Sequence, residues 1–364
     1  MTKLRDNPSG LTFAFTAPMA SADGYGYSAE ELVRAAVNRG ADVRYIVHDW
    51  EDRKFTGQDV QEREIPRESL SNYEVSVTYF IPYAFEHFKA TRDFGMTMFE
   101  TSEIPDIWAY CCNLTQGIIV PSEFCKEVFS QKVTVPIEVA PLGVNPLTYP
   151  FVERETSGVF TFLMAGMLHY RKGAEFAVKA FQEEFAPDEN VRLILKTRKH
   201  MIDTGEEVIS DPRIQLVDGD YSREQMLDLY HAADCFVAPS RGEASGLTPR
   251  EAMSTGIPAI VTNWGGLAEI ADPKYTFPLN IEGFSRAPDQ CSSYSLGITQ
   301  GQSIGEFSIP SVTHLRELMR EAYENQEATR AKGKAASDWV HKNWNYDTCA
   351  AKWLQAIERL YDHV

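Results

Sequence analysis

The stretch that decides the fold is Val237-Ala-Pro-Ser-Arg-Gly-Glu-Ala-Ser-Gly-Leu-Thr-Pro-Arg-Glu-Ala-Met-Ser-Thr-Gly256. It follows a short apolar run from Cys235, which reads as a buried strand. Thr248 suits a helix N-cap, Pro249 the first helical position, and Glu251 stands three after the cap, the spacing of a capping box. Gly256 fits the position just past the helix end. A strand thus feeds a small-residue loop, and the loop feeds a helix N-terminus, where free N–H groups and the helix dipole suit a phosphate. Ala244, Ser245 and Gly246 let backbone approach an anion closely, and the Glu243 carboxylate can accept hydrogen bonds from hydroxyls. On spacing alone two bland roles stay open: Glu251 as a cap partner only, and Glu243 as a solvated loop acid.

Outward from this stretch, short β-rich runs alternate with amphipathic helical ones. Strands are expected at 11–17, 42–47, 75–80, 96–99, 117–120 and 137–140, with helices near 28–39, 104–114 and 122–131. A Pro- and Gly-rich linker, Pro141-Leu-Gly-Val-Asn-Pro146, precedes a second alternation. Its strands are expected at 159–165, 191–196, 214–217, 235–238 and 258–262, and its helices at 174–184, 223–233, 249–255 and 267–271. Residues 283–310 lack periodicity and read as a long loop. Helical patterns fill 311–363. Alternation of this kind implies parallel strands with crossover helices, an α/β fold. The 364 residues favour two domains.

The 35 basic and 52 acidic residues give a net charge of −17, which repels phosphate backbones and anionic lipid at long range. A nucleic-acid partner is thereby disfavoured, although a local basic strip would suffice for one; the most basic run is Arg192–His200. The six cysteines show no Cys-x-x-Cys pair and no zinc spacing, so no metal site is expected. They fit a reduced, cytoplasmic protein. The first ten residues lack the apolar core of a signal peptide, and no apolar run is long enough to span a membrane. Oligomeric state is not legible.

The segment Glu243-Ala-Ser-Gly-Leu-Thr-Pro-Arg-Glu251 resembles the signature of retaining family 4 glycosyltransferases (glycosyl transferases group 1), two glutamates separated by seven residues. The likeness continues in Ala252-Met-Ser-Thr-Gly-Ile-Pro-Ala-Ile-Val-Thr-Asn-Trp-Gly-Gly-Leu-Ala-Glu-Ile270 and in Ala165-Gly-Met-Leu-His-Tyr-Arg-Lys-Gly173. It extends to Tyr221-Ser-Arg-Glu-Gln-Met-Leu-Asp-Leu-Tyr230, Ile119-Val-Pro-Ser-Glu-Phe124 and Ala140-Pro-Leu-Gly-Val-Asn145. The resemblance implies the GT-B fold, two Rossmann-like doubly wound domains facing a central cleft. Residues 1–146 would form the acceptor domain and 147–345 the donor domain, with a helix at about 346–364 crossing back to the first.

The resemblance also implies roles. Glu251 would hydrogen-bond the donor ribose, and Glu243 would face the donor sugar as a catalytic residue. Amides around Ser245, Gly246, Leu247 and Thr248 would hold the diphosphate, with Lys172 supplying positive charge. Lys196 would join the donor set, and Tyr221 would stack on the base. The family often has arginine after the glycine at 166; Met167 stands here instead, and Arg171 is the candidate substitute. Glu100, read as the end of the strand at 96–99, is a second catalytic candidate. Gly24, Tyr25 and Gly26 would form a cleft loop toward the acceptor. The expected activity is retaining hexosyl or pentosyl transfer, with no cofactor beyond a nucleotide-sugar donor, UDP- or GDP-sugar foremost, to a hydroxyl of a glycan or small glycoside.

Other readings are weighed beside it. A phage-type DNA glycosyltransferase acting on a hydroxymethylated base would need basic side chains near the acceptor loops; Lys89, Arg92, Arg53 and Lys54 are the candidates. An NAD-dependent oxidoreductase would use Gly24-x-Gly26-x-x-Ala29 as a dinucleotide fingerprint, with Asp42 or Asp49 as its acid. A binding protein that kept the fold without catalysis is opposed by the presence of both Glu243 and Glu251.

Overall fold

Strands dominated by buried β-branched and aromatic residues organise the protein, seen in a computed structural model that describes residues 12–18, 24–47, 73–86, 90–154, 158–198, 211–288 and 303–363. Asp23, Asp49, Arg53, Lys54, Lys89, Lys199, His200 and Cys291 lie outside the described residues. The chain divides into two units, one of residues 1–99, 103–143 and 344–364, the other of 100–102 and 144–343.

In the first unit, β1 (Thr12–Ala17), β2 (Asp42–Val47), β3 (Val75–Tyr79), β4 (Arg92–Met96), β5 (Gly117–Val120) and β6 (Ile137–Val139) pair in parallel in the order β2-β1-β3-β4-β5-β6. Every residue of β3 and β5 is buried. Continuous burial rather than alternation marks a parallel sheet covered on both faces. Helices α1 (Gly24–Asn38), α2 (Asp106–Asn113) and α3 (Glu123–Ser130) connect these strands. Ser122 caps α3, its hydroxyl accepting from the Cys125 N–H at 3.1 Å.

Two expectations are corrected here. The fourth strand ends at Met96 instead of starting there, because Val75–Tyr79 pairs with Arg92–Met96. Gly24, Tyr25 and Gly26 are the first turn of α1 and not a loop. Ser28 stitches that turn, its hydroxyl donating to the Gly24 carbonyl at 2.6 Å and meeting the Tyr79 hydroxyl at 2.9 Å. The Tyr25 ring lies against Tyr79 and Phe80, with centroids at 5.0 and 5.8 Å.

The second unit holds β7 (Phe160–Ala165), β8 (Val191–Thr197), β9 (Ile214–Asp218), β10 (Cys235–Ala238), β11 (Ala259–Thr262) and β12 (Phe277–Leu279), again parallel, in the order β12-β11-β10-β7-β8-β9. Helices α4 (Ala174–Glu184), α5 (Arg223–His231) and α6 (Leu247–Ser254) form crossovers, and α7 (Val312–Glu324) and α8 (Gln326–Asn343) follow the sheet. Phe162, Phe181, Leu193, Leu195 and Leu315 lie in one buried apolar cluster. The chain winds outward from β7 through β9, then returns to β10 on the other side of β7. Strand order therefore reverses between β7 and β10, and open α/β sheets bind ligands beyond the carboxyl ends of strands at such a switch point.

The stretch read as a long loop contains an antiparallel hairpin, β13 (Ile281–Arg286) with β14 (Glu306–Pro310). It is held partly by the site loops, since the Ser308 N–H donates to the Arg241 carbonyl at 3.0 Å. The chain ends in α9 (Tyr346–His363), which belongs to the first unit. Its Trp353 is fully buried, edge-on to Phe13 and Phe15 at 5.3 and 4.9 Å. Leu354, Ile357 and Leu360 continue its buried stripe. Among the described residues no helix is long and apolar enough to cross a membrane.

Candidate active site

Two loops meet at the switch point of the second unit: residues 166–173 after β7 and 239–246 after β10. The first contains a 3₁₀ turn, Tyr170–Lys172, closed by Gly173 at φ 71°. A Cβ on Gly173 would stand 2.2 Å from the Pro239 carbonyl oxygen, so only glycine lets the loops touch. They are joined by the Arg241 N–H donating to the Arg171 carbonyl at 2.7 Å, and by the Ser240 hydroxyl donating to the same oxygen at 3.0 Å. The Arg241 guanidinium stacks over Tyr170 at 3.8 Å and donates to the Tyr170 carbonyl at 2.6 Å.

This framework gathers four charges. Lys172 Nζ binds Glu243 Oε1 at 2.5 Å, and Arg171 binds Glu243 Oε2 at 3.1 Å. Arg171 also reaches Glu100 at 3.5 Å and donates to the Gly242 carbonyl at 2.7 Å. Glu100, four residues past β4, is 8% exposed, as is Arg171. Arg171 is therefore committed to two carboxylates and a carbonyl, which does not fit a free phosphate clamp. Burial alone would raise the Glu243 carboxyl, but the charges of Arg171 and Lys172 and their hydrogen bonds outweigh it and hold the group at about 2.

Beside this cluster α6 begins. Gly246 is its N-cap, at φ 72° and ψ 59° with no side chain to offer, and a Cβ there would meet Leu267 at 2.4 Å. The helix starts at Leu247, two residues before the Pro249 start read from a Thr248 cap, and the capping box is absent. The Glu251 carboxylate instead accepts from the Tyr230 hydroxyl at 2.9 Å. Burial pushes Glu251 up to about 7, against hydrogen bonds from Tyr230 and Tyr149. Arg250, fully buried, donates to the Ser245 hydroxyl at 3.1 Å and to the Ser245 carbonyl, which fixes the loop that leads into the helix. Gly266 adds a strut, its N–H donating to the Glu243 carbonyl at 2.7 Å. A cavity of about 10 Å³, room for a water-sized group, is lined by Lys172, Ser240, Glu243 and Thr248 among others.

A second group forms at the ends of β8 and β9. Lys196, 3% exposed, donates to the carbonyls of Thr197 at 2.7 Å and Gly219 at 2.5 Å. Its ammonium lies 4.2 Å from the Tyr221 ring centroid. Burial, then the charge of Arg198, lowers its pKa. Asp220 is paired with Arg198 at 2.7 Å.

The structure thus brings together Glu100, Arg171, Lys172, Glu243, Ser245, Gly246, Leu247, Thr248 and Glu251, and separately Lys196 with Tyr221. Gly24, Tyr25 and Gly26 belong to the first unit. Sequence reasoning missed Tyr230, Tyr149, Arg250 and Gly266 as supports; the small-residue pair Gly265-Gly266 was the signal available for the last.

Comparison with known proteins fits this geometry. Residues 159–290 match the family model described as glycosyl transferases group 1. Over 43 residues the chain is 54% identical to the lipopolysaccharide core biosynthesis mannosyltransferase LpsB of Rhizobium meliloti, 12% of each chain. It is 26% identical to the alpha-monoglucosyldiacylglycerol synthase of Streptococcus pneumoniae over 161 residues, 40% of this chain and 36% of that one. Similarity to curated relatives therefore spans well under half of their length in these two cases. Among solved structures, sucrose-phosphate synthase from Thermosynechococcus elongatus superposes with a TM-score of 0.71 at 17% identity, covering 97% of this chain and 100% of that one. A glycosyltransferase from Rickettsia africae gives 0.68 at 15% identity over 98% and 100%. The fold is GT-B. The family match lies within the second unit, and the structural likenesses show the fold.

The raised Glu251 pKa has a sign that can be followed. Its folded value near 7 lies above the unfolded value near 4.3, so the folded state holds the extra proton and stability falls as pH rises from about 4.3 to 7. If the ionised carboxylate accepts from ribose hydroxyls, affinity for a nucleoside diphosphate should rise about tenfold between pH 6 and 8 as the ionised fraction grows. Phosphate ionisation contributes in the same range. Glu251→Gln should therefore be compared by calorimetry across this range. A pH slope equal to wild type would remove Glu251 from the ribose.

Proposed function

We propose that this protein is a retaining glycosyltransferase that moves a hexose or pentose from a UDP- or GDP-sugar to a hydroxyl of a glycan or small glycoside. The observation carrying this reading is the convergence, at the switch point of one sheet, of Lys172, Glu243 and the start of α6. The amides of that first turn and the Lys172 ammonium suit the diphosphate. Glu251 suits the ribose, and Lys196 with Tyr221 suits the base.

Glu100, Arg171, Glu243 and Lys172 form an array of two carboxylates and two cations, so their formal charges balance before a ligand enters. An arriving diphosphate competes for Lys172. As that ammonium turns to phosphate, Glu243 keeps Arg171 and gains lone pairs free for the sugar hydroxyls. In the reaction the anomeric carbon–oxygen bond breaks and the leaving phosphate oxygen develops charge, which the α6 amides and Lys172 stabilise. The acceptor hydroxyl attacks on the same face and yields its proton to the leaving phosphate, so the anomeric configuration is kept and no separate base is required.

A thermal-shift screen against UDP-, GDP-, ADP- and dTDP-sugars tests the reading, since a ligand at 100 Kd stabilises by about 2.7 kcal/mol. No shift with any of them would overturn it. Lys172→Ala should weaken nucleoside diphosphate binding about 10–100-fold, from the loss of a charge-assisted contact of about 1.5–3 kcal/mol. The same change also leaves Glu243 with one cation fewer beside the phosphates. Binding of the bare nucleoside should stay within twofold, and equal losses for both ligands would contradict the assignment to phosphate.

A further inference from the structure

The loop 166–173 carries one buried group that the chemistry above leaves unused. His169 is 8% exposed, and neither ring nitrogen has a hydrogen-bond partner among the described residues. Its backbone is engaged on both sides: its N–H donates to the Met167 carbonyl at 2.9 Å, and its carbonyl accepts from the Lys172 N–H at 2.8 Å. The backbone that carries the ring is thus held in place, two residues before Arg171 and three before Lys172, the cations that bind Glu243. Burial first, then the charges of Arg171 and Lys172, press its pKa down to about 3 against the opposite pull of Glu243. The imidazole is neutral at working pH.

A neutral imidazole presents one N–H and one lone pair. Leaving both unmet in a buried place lowers stability, and an apolar side chain of similar size would not incur that loss. The loop keeps a histidine all the same. A phosphate would satisfy the N–H but offers only acceptors, leaving the lone pair unmet. It would also favour a protonated ring, which the adjoining cations oppose. A hydroxyl both donates and accepts, and a pair of neighbouring hydroxyls meets both nitrogens. The ligand with such groups next to Glu243 is the sugar of the donor.

We infer that His169 is a specificity-determining residue whose ring reads the hydroxyl configuration of the transferred sugar; the inference rests on the glycosyltransferase reading above. The test uses the full chain and a panel of gluco-, galacto- and manno-configured nucleotide sugars on the base that wild type prefers. Calorimetry compares each with the free nucleoside diphosphate. His169→Leu should keep nucleoside diphosphate affinity within twofold, lose about tenfold for the preferred nucleotide sugar, and flatten the ranking of the epimers. Its melting temperature should be unchanged or higher, because an unpartnered polar group is gone. His169→Gln, whose amide still donates and accepts, should retain most of the ranking, and His169→Phe should repeat the leucine result.

An unchanged epimer ranking in His169→Leu and His169→Phe would overturn the inference while leaving the glycosyltransferase reading intact. Equal losses for nucleoside diphosphate and nucleotide sugar would also overturn it, since they mark a loop-shaping role. Wild-type protein that binds neither class of ligand would overturn the underlying reading and this assignment with it.

Discussion

Glu243→Gln should lower sugar transfer by at least 10²–10³-fold, the scale set by removing one preorganised electrostatic group from an active site. It should also lower stability, because Arg171 and Lys172 would both lose the carboxylate they share. Removing one member of a buried pair costs about 3–5 kcal/mol, and the 12% exposure of the Glu243 side chain places this site near the lower end. Affinity for the free nucleoside diphosphate should be kept or raised, since Lys172 is released toward the phosphates while Arg171 stays with Glu100 and the Gly242 carbonyl. The signs separate a sugar-facing acid from a purely structural one: catalysis falls, melting falls, nucleotide binding does not. Near-normal turnover in the variant would remove Glu243 from the reaction. The pH behaviour follows from its folded pKa of about 2, below the unfolded value near 4.3. Its contribution to stability is complete above about pH 4.3 and is lost as pH falls toward 2. Acid unfolding of the glutamine variant should therefore lack that part of the slope.

Trp353→Ala should destabilise the first unit by about 3–5 kcal/mol, the usual cost of emptying a large aromatic site. The indole is fully buried against Phe13 and Phe15 of strand β1, which is paired on both sides by β2 and β3, so neighbours on a close-packed sheet have little freedom to fill the space. Two units allow two transitions. Denaturant unfolding followed by far-ultraviolet dichroism should show one transition moving to lower concentration. The other, identified as the second unit by its shift with nucleoside diphosphate, should stay in place. A single transition at the wild-type midpoint would show that the helix adds little to the unit.

Much of the fold could be read because its signals are local. The strands of both sheets are short apolar runs between turn residues, and Ser122 announces α3 with a cap. The candidate site was legible in its local geometry where it lies in one stretch: Glu243, the small residues that follow it, and a helix just after them. What escaped depends on partners far apart in the chain. Thr248 and Glu251 satisfy the spacing of a capping box, yet Gly246 in the left-handed region already starts the helix, and Glu251 turns to Tyr230, 21 positions earlier. Arg171 reads as a loop charge, and only its pairing with Glu243, 72 positions on, and with Glu100 shows that it is internal. The β13–β14 hairpin escaped because Ile281–Arg286 mixes glycine, charge and one aromatic, so its alternation is weak. Its hold on the Arg241 carbonyl through Ser308 comes from tertiary placement.

The return of the chain to its first unit has a consequence for synthesis. β1 through β6 emerge before residue 144, whereas α9 begins at Tyr346, after the whole of the second unit. At about 5–20 residues per second, the roughly 200 intervening residues take about 10–40 s to translate. During that interval Phe13, Phe15 and the strand face near Gly117, which later meets Leu360, have no Trp353 or Leu360 to cover them. The second unit, nearly continuous in the chain, has all its strands and helices in hand before α9 is made. Until α9 leaves the ribosome, the apolar face of the first sheet that Trp353 and Leu360 cover is open to chaperones and neighbouring chains.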